Sequence, residues 1–294
     1  MQHSEGLRDA MPGWLDPTMY PFVAHWFDAP DGVLHYLDEG AGKPVVLLHG
    51  NPTWSFQFRQ VVPLLEGCRA IAPDHLGFGL SDKPVGYSYL PQDQARNLAA
   101  FLDSLDLHDV TLVVGDWGGP LGLSWAPDNP DRVRALVITN TWMWSVRDDW
   151  YYRAFSGFMG GPVGRRLILR RNFFAGSFLA RVYGDRSKLT PEIHAHYLEP
   201  LATPDDRMGS ATFPREIVGS SDWLDSLWNR RSLLPSERVT LAWGRKDIAF
   251  RGKELERWRS LFPEAKVVTY DDCGHYVAEE HPRDLAEEIL AVAR

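Results

Sequence analysis

The stretch Thr111-Leu-Val-Val-Gly-Asp116-Trp-Gly-Gly119 constrains the chain more than any other. A short apolar run that ends in an acidic residue between small residues, followed by a helix-forming segment (Pro120 to Ala126), predicts a buried strand that turns sharply into a helix. Glycines at 115, 118 and 119 would relax the backbone through that turn and push the Asp116 side chain into a cleft. The helix that follows would aim its N-terminal N–H groups at developing negative charge. This is the pattern of a nucleophile elbow with aspartate at the position usually held by serine. A helix-capping aspartate at a strand end would look similar, so the motif needs support from elsewhere in the chain.

That support comes from rhythm. Apolar runs bounded by turn residues recur at 22–28, 33–38, 45–49, 69–73, 111–115, 135–139, 239–243 and 266–270, which predicts eight strands. The first two flank Ala29-Pro30-Asp31-Gly32, a hairpin composition. From the third onward the spacers are long enough for crossover helices, and the unbroken apolar runs suit parallel strands covered on both faces. Ala95, Leu98, Ala99, Phe101 and Leu102 would share one helical face. Residues 141–213 break the rhythm: they lack a clear strand and are rich in aromatics and arginine. They read as a helical cap inserted between the sixth and seventh strands, dividing a main domain into residues 1–140 and 214–294.

Three further motifs fall at strand ends. His49-Gly-Asn51-Pro-Thr-Trp54 follows the third strand, Gly244-Arg-Lys-Asp247 the seventh, and Asp272-Cys-Gly-His275-Tyr-Val the eighth. Chain order is then Asp116, Asp247, His275, the order of nucleophile, acid and histidine in α/β-hydrolases. In that architecture the backbone N–H groups of Asn51 and Trp117 would form the oxyanion hole. The Gly77-Phe-Gly79 turn lacks the context of a dinucleotide site, and His194-Ala-His196 has no converging acid or thiol to make a metal site.

Composition narrows the class of partner. Lysine and arginine number 31 against 39 aspartates and glutamates, a formal charge of −8 without long same-sign blocks, which does not attract nucleic acid. Two distant cysteines, Cys68 and Cys273, encode no disulfide framework and fit a reducing compartment, the cytoplasm. The opening residues carry acids and prolines where a signal peptide needs a basic start and an apolar run, and no stretch reaches membrane-spanning length, so no membrane attachment is expected.

His49-Gly-Asn-Pro-Thr-Trp54, Pro73-Asp-His-Leu-Gly-Phe-Gly-Leu-Ser-Asp-Lys-Pro84, Val114-Gly-Asp-Trp-Gly-Gly119 and Gly274-His-Tyr-Val277 closely resemble haloalkane dehalogenases of the α/β-hydrolase fold. The resemblance covers nearly the whole chain and is weakest in the cap. It implies an eight-stranded, mostly parallel sheet with helices on both faces and a helical cap. It also implies Asp116 as nucleophile, His275 as base, Asp247 as the acid orienting it, and Asn51 and Trp117 as the halide-binding side chains. No cofactor or metal is called for.

Asn140 stands near where some members place a glutamate, which favours Asp247 as the acid. Asp247 together with Asn51 is similar to the family's third subgroup, some of whose members form large oligomers, so the resemblance opens the prospect of a homo-oligomer. Gly115 departs from the histidine or glutamine of many relatives.

The expected reaction hydrolyses a small halogenated aliphatic to an alcohol, a halide ion and a proton. A carboxylate can attack tetrahedral carbon without prior deprotonation, and two N–H donors can hold the leaving halide in an apolar pocket without a cation. The alkyl ester on Asp116 then needs water activated by a base, assigned to a neutral His275 imidazole. Most cap aromatics would be core, with Phe155, Phe158 and Leu179 the candidates for the pocket wall. The alternative is an epoxide hydrolase using Asp116 with two tyrosines from among Tyr151, Tyr152, Tyr183 and Tyr197. Asn51, where those enzymes usually carry an aromatic, favours the dehalogenase. A binding module without activity and a serine esterase are further readings; retention of Asp116, Asp247 and His275 argues against the first and the lack of Ser or Cys at the elbow against the second.

Overall fold

The computed structural model describes residues 11–294. A hairpin of β1 (His25–Ala29) and β2 (Gly32–Gly40) opens the sheet, followed by β3 (Lys43–Leu48), β4 (Cys68–Pro73), helix α1 (Pro91–Ser104), β5 (Val110–Asp116), α2 (Gly118–Trp125) and β6 (Val133–Thr141). Next come α3 (Trp150–Gly160), α4 (Pro162–Arg171), α5 (Leu179–Val182), α6 (Pro191–Leu198), α7 (Met208–Gly219) and α8 (Ser221–Asn229). The chain closes with β7 (Val239–Gly244), α9 (Gly252–Leu261), β8 (Lys266–Tyr270), α10 (Val277–Glu280) and α11 (Pro282–Ala293). The strand order is β1-β2-β4-β3-β5-β6-β7-β8. β2 pairs antiparallel with β1 and with β4, and every other pairing is parallel.

Side chains alternate between two cores. Val46, Leu48, Leu112, Val114, Leu136, Ile138 and Leu241 pack on one face with α1, α2 and α9. Val45, Leu47, Val113, Val137 and Ala242 pack on the other with α11. Unbroken apolar runs therefore feed both layers, because successive residues of a strand point to opposite faces. These side chains are fully or almost fully buried, so truncating one such as Leu112 to alanine costs about 2–5 kcal/mol.

Two local expectations change. The spacer between β3 and β4 forms no crossover α-helix, only tight 3₁₀ turns at Ser55–Phe58 and Val62–Leu64. Pro52 and Pro63 interrupt any longer run of amide donors there. The first strand starts at His25, leaving Phe22 to Ala24 outside the sheet. Ala95, Leu98, Phe101 and Leu102 do line the buried face of α1.

The helical region between β6 and β7 forms the cap. α3 packs against α4 and α7, around a small cluster of Met159, Ile168, Phe174 and Ala211. Residue 213 lies inside α7, and α8 returns to pack on α2 of the main domain. No helix among the described residues is long and apolar enough to cross a membrane.

Candidate active site

The C-terminal ends of β3, β5, β7 and β8 bring His49 to Asn51, Asp116, Asp247 and His275 together beneath the cap. Ligand sites in open α/β sheets form outside these strand ends. At the elbow the positive φ falls on Asp116 itself, at +47°, and not on the neighbouring glycines. A non-glycine residue in this region is uncommon and carries local strain. The glycines serve close approach instead: a Cβ at Gly50 would sit 2.2 Å from Asp116 Oδ1, and one at Gly119 would lie 1.9 Å from Thr141 Oγ1.

Asp116 Oδ1 accepts a hydrogen bond from the Asn51 N–H at 2.7 Å. The Trp117 N–H, the second expected oxyanion donor, makes no such bond to the carboxylate. Asp116 Oδ2 lies 3.6 Å from His275 Nε2, and His275 Nδ1 lies 2.8 Å from Asp247 Oδ2. Burial disfavours a charged ring, but the carboxylates of Asp247 and Asp116 on either side outweigh it and raise its pKa to about 10. The two flanking carboxylates thus favour the protonated form of the ring while both are ionised.

Asp247 is itself fixed. Its Oδ1 accepts from the Ala249 N–H at 2.7 Å, and its Oδ2 accepts a second bond, from Asn140 Nδ2 at 2.8 Å. Asn140 owes this reach to an irregularity in β6. Gly115 pairs with Thr139 and Asp116 with Thr141, so Asn140 is skipped in the ladder and takes a φ of +22°. Its side chain also bonds both polar backbone atoms of Gly244. A bulge that re-aims a side chain beside a site is a recurrent device, and no feature of Thr139-Asn-Thr-Trp142 marked it in advance.

The loop after β3 is held by neutral histidines. His49 Nδ1 donates to Gly50 O at 2.8 Å while its Nε2 accepts the His75 N–H at 2.9 Å, and burial lowers the pKa of both rings. The Asn51 amide approaches Ser210 O of the cap at 3.4 Å with one N–H, which leaves the second free to meet a ligand. Trp117 stacks on Phe213 at 4.7 Å and meets Trp142 edge-on at 4.7 Å. Its indole N–H donates to no described residue.

A cavity enclosed mainly by aromatic side chains lies between these residues and the cap, lined by Asn51, Asp116, Trp117 and His275 at its base. Phe155 is on its wall. Phe158 is not: it is 58% exposed, because it lies well around the helix from the buried line of Tyr152, Ser156 and Met159. Leu179 is fully buried but packs into the core shared with α11 rather than on the cavity. Phe174 and Phe178 reach the cavity from a single π-helical turn, and Phe250 from the loop after β7. The four-residue spacing of the first pair was the available signal. Tyr151 and Tyr152 also line the wall, but their hydroxyls donate to Ile248 O and Ala249 O. Tyr197 donates to Glu279, and neither it nor Tyr183 reaches the cavity. His194 and His196 bond the carbonyls of Ala175 and Glu192, and no cluster of three metal-ligating side chains occurs among the described residues.

The model of the alpha/beta hydrolase fold matches residues 43–282. With this sheet, elbow and cap, the chain belongs to the α/β-hydrolase superfamily. It is 38% identical over 278 residues to haloalkane dehalogenase 2 of Mycobacterium tuberculosis, covering 94% of this chain and 96% of that protein. It is 34% identical to a cis-3-alkyl-4-alkyloxetan-2-one decarboxylase of Shewanella oneidensis, over 93% of this chain and 87% of that one. Among solved structures, the haloalkane dehalogenase DbeA of Bradyrhizobium elkani superposes with a TM-score of 0.84 at 26% identity, covering 92% of this chain and 97% of that chain. Within the superfamily, the chain is a member of the haloalkane dehalogenase family.

Proposed function

We propose that the protein hydrolyses a small haloalkane through a covalent ester on Asp116. One carboxylate oxygen attacks the carbon from behind and expels halide toward the Trp117 indole and the second N–H of Asn51. Ester formation cancels the Asp116 charge and so withdraws one of the two anions that hold the proton on His275. The ring can then release that proton and act as base. It draws a proton from water as the water oxygen adds to the Asp116 carbonyl carbon, while the Asn51 N–H stabilises the developing oxyanion. Collapse of the tetrahedral intermediate releases the alcohol, and Asp247 stabilises the transient imidazolium.

The observation that carries this reading is the line Asp116–His275–Asp247 at the base of an aromatic chamber that also presents the unpaired Trp117 indole N–H and one N–H of Asn51. An epoxide would open to an alkoxide needing acidic hydroxyls, and those of Tyr151 and Tyr152 are committed to backbone carbonyls. Asp247 with Asn51 supports the Asp-His-Asp, Asn-Trp subgroup. The similarity to the oxetanone decarboxylase supports a second substrate class for the same nucleophile.

The test offers 1,2-dibromoethane, 1-bromohexane, styrene oxide and a cis-3,4-dialkyl oxetan-2-one in parallel. Bromide with alcohol is expected; diol alone would move the protein to epoxide hydrolysis, and carbon dioxide release without bromide to decarboxylation. His275→Phe should release one equivalent of bromide and trap the alkyl group on the Asp116 peptide. Bromide turnover by the parent enzyme with no adduct in that variant would overturn the covalent route.

A further inference from the structure

Asp116 and His275 line two cavities, not one. The second lies away from the aromatic chamber, against the main domain, and is walled by Gly50, Thr53, Gln57, Gly115, Thr139 and the start of α10. The polar side chains of Thr53, Gln57 and Thr139 are part of its lining, and it has room for about one water molecule. Gly115 keeps it open: a Cβ there would come within 2.6 Å of Thr139 Oγ1.

The walls are built to hold a polar guest. Gln57 is only 8% exposed, lines this space, and its carboxamide makes no hydrogen bond to any described residue. An amide without a protein partner that faces this space offers both donors and an acceptor, so the site favours an occupant with both donor and acceptor capacity. Thr53 Oγ1 donates to Gly50 O at 3.2 Å and Thr139 Oγ1 to Val114 O at 3.1 Å. Each hydroxyl has then spent its hydrogen and retains a free acceptor site. An amide and two acceptors give a water the two to four partners that a buried water requires.

Resting on the ester mechanism above, we propose that this rear cavity stores the hydrolytic water and supplies it to the Asp116 ester from the side opposite the substrate chamber. The chamber is filled by the alkyl group and the halide at that stage, whereas the rear cavity adjoins both the carbonyl carbon to be attacked and the ring that takes the proton. The water oxygen forms the new bond to Asp116 Cγ, its proton passes to His275 Nε2, and the ester C–O bond breaks as the alkoxide recovers that proton. Gln57 and Thr139 act as positioning residues, through the water.

Single-turnover measurements with 1-bromohexane separate the two steps, reading bromide release for alkylation and the mass of the protein for ester decay. Gln57→Leu keeps the volume and removes the amide. Its bromide burst should stay within about twofold of the parent, while adduct decay slows about tenfold, the cost of one lost hydrogen bond to the water. Thr139→Val should slow decay selectively from the opposite wall, and Thr139→Ser should restore it. A surviving burst shows that the variant is folded. Parental decay rates in both Gln57→Leu and Thr139→Val, or equal slowing of burst and decay in both, would overturn the inference while leaving the ester mechanism intact. A parent enzyme that forms neither bromide nor adduct would instead remove the mechanism and this inference with it.

Discussion

Replacing Asp247 by asparagine tests the one negative charge that, in the proposed mechanism, still faces His275 once Asp116 has been esterified. The ring and carboxylate are 2.8 Å apart and both side chains are buried. At an effective dielectric near 20, unit charges at this separation interact by about 6 kcal/mol. Asparagine keeps a hydrogen-bond acceptor but not the charge, so a loss of about 4–5 kcal/mol is expected in the step that forms the imidazolium, or about 10³–10⁴ in rate. The corresponding exchange in a serine protease triad costs about 10⁴. Alkylation needs no proton transfer and should fall by less than tenfold.

Asp247 also raises the ring's pKa, so with it gone burial dominates and the acid limb of the ester-decay profile should move to lower pH even as the maximum rate falls. Quenched-flow bromide release and protein mass spectrometry across pH 5–10 measure both. Ester decay within tenfold of the parent, with an unmoved acid limb, would refute the assignment of Asp247.

Trp117→Phe preserves the stack on Phe213 but removes the indole N–H, and should slow bromide release by about 10²–10³, read in single turnovers. Phe155→Ala opens the chamber wall and should alter KM for 1-bromohexane, whereas Phe158→Ala, on the exposed side of α3, should leave steady-state kinetics unchanged. The raised pKa of His275 stabilises the fold fully below its ordinary value of 6.5 and is lost as pH rises through about 10. The stability advantage of the parent over His275→Gln should therefore shrink across that window, by up to about 5 kcal/mol, in urea unfolding series. Glu280 accepts from the N–H groups of Gly184, Asp185 and Gly274, joining the cap to the loop that carries His275, so Glu280→Gln should lower the unfolding free energy by about 2–4 kcal/mol, read as a lower denaturation midpoint.

Where the sequence spoke clearly, each message was local. The hairpin composition at Ala29 to Gly32, the apolar runs of β3 to β7 and the small residues around Asp116 need only short-range sterics and a two-residue alternation to be read. The exceptions were local too in appearance but not in cause. The spacer after β3 had the length for a helix, yet its prolines left only tight turns. Phe155 and Phe158 look equivalent in a string of aromatics; the register of α3 against α7 put one on the cavity and the other in solvent. Asn140 drew notice only for not being glutamate, because a bulge is a relation between two strands.

Sequence alone thus determined the order of the strands along the chain, the elbow, and which side chains could serve as nucleophile, acid and base. These follow from residue type and spacing. The tertiary structure alone decided the placing of His275 between two carboxylates, the positive φ at Asp116, the fixing of Asp247 by Asn140, which cap aromatics enclose the chamber, and the cavity behind Asp116. Each of those depends on distances between segments far apart in the chain, and electrostatic and packing energies are set by distance and burial, which no single segment contains.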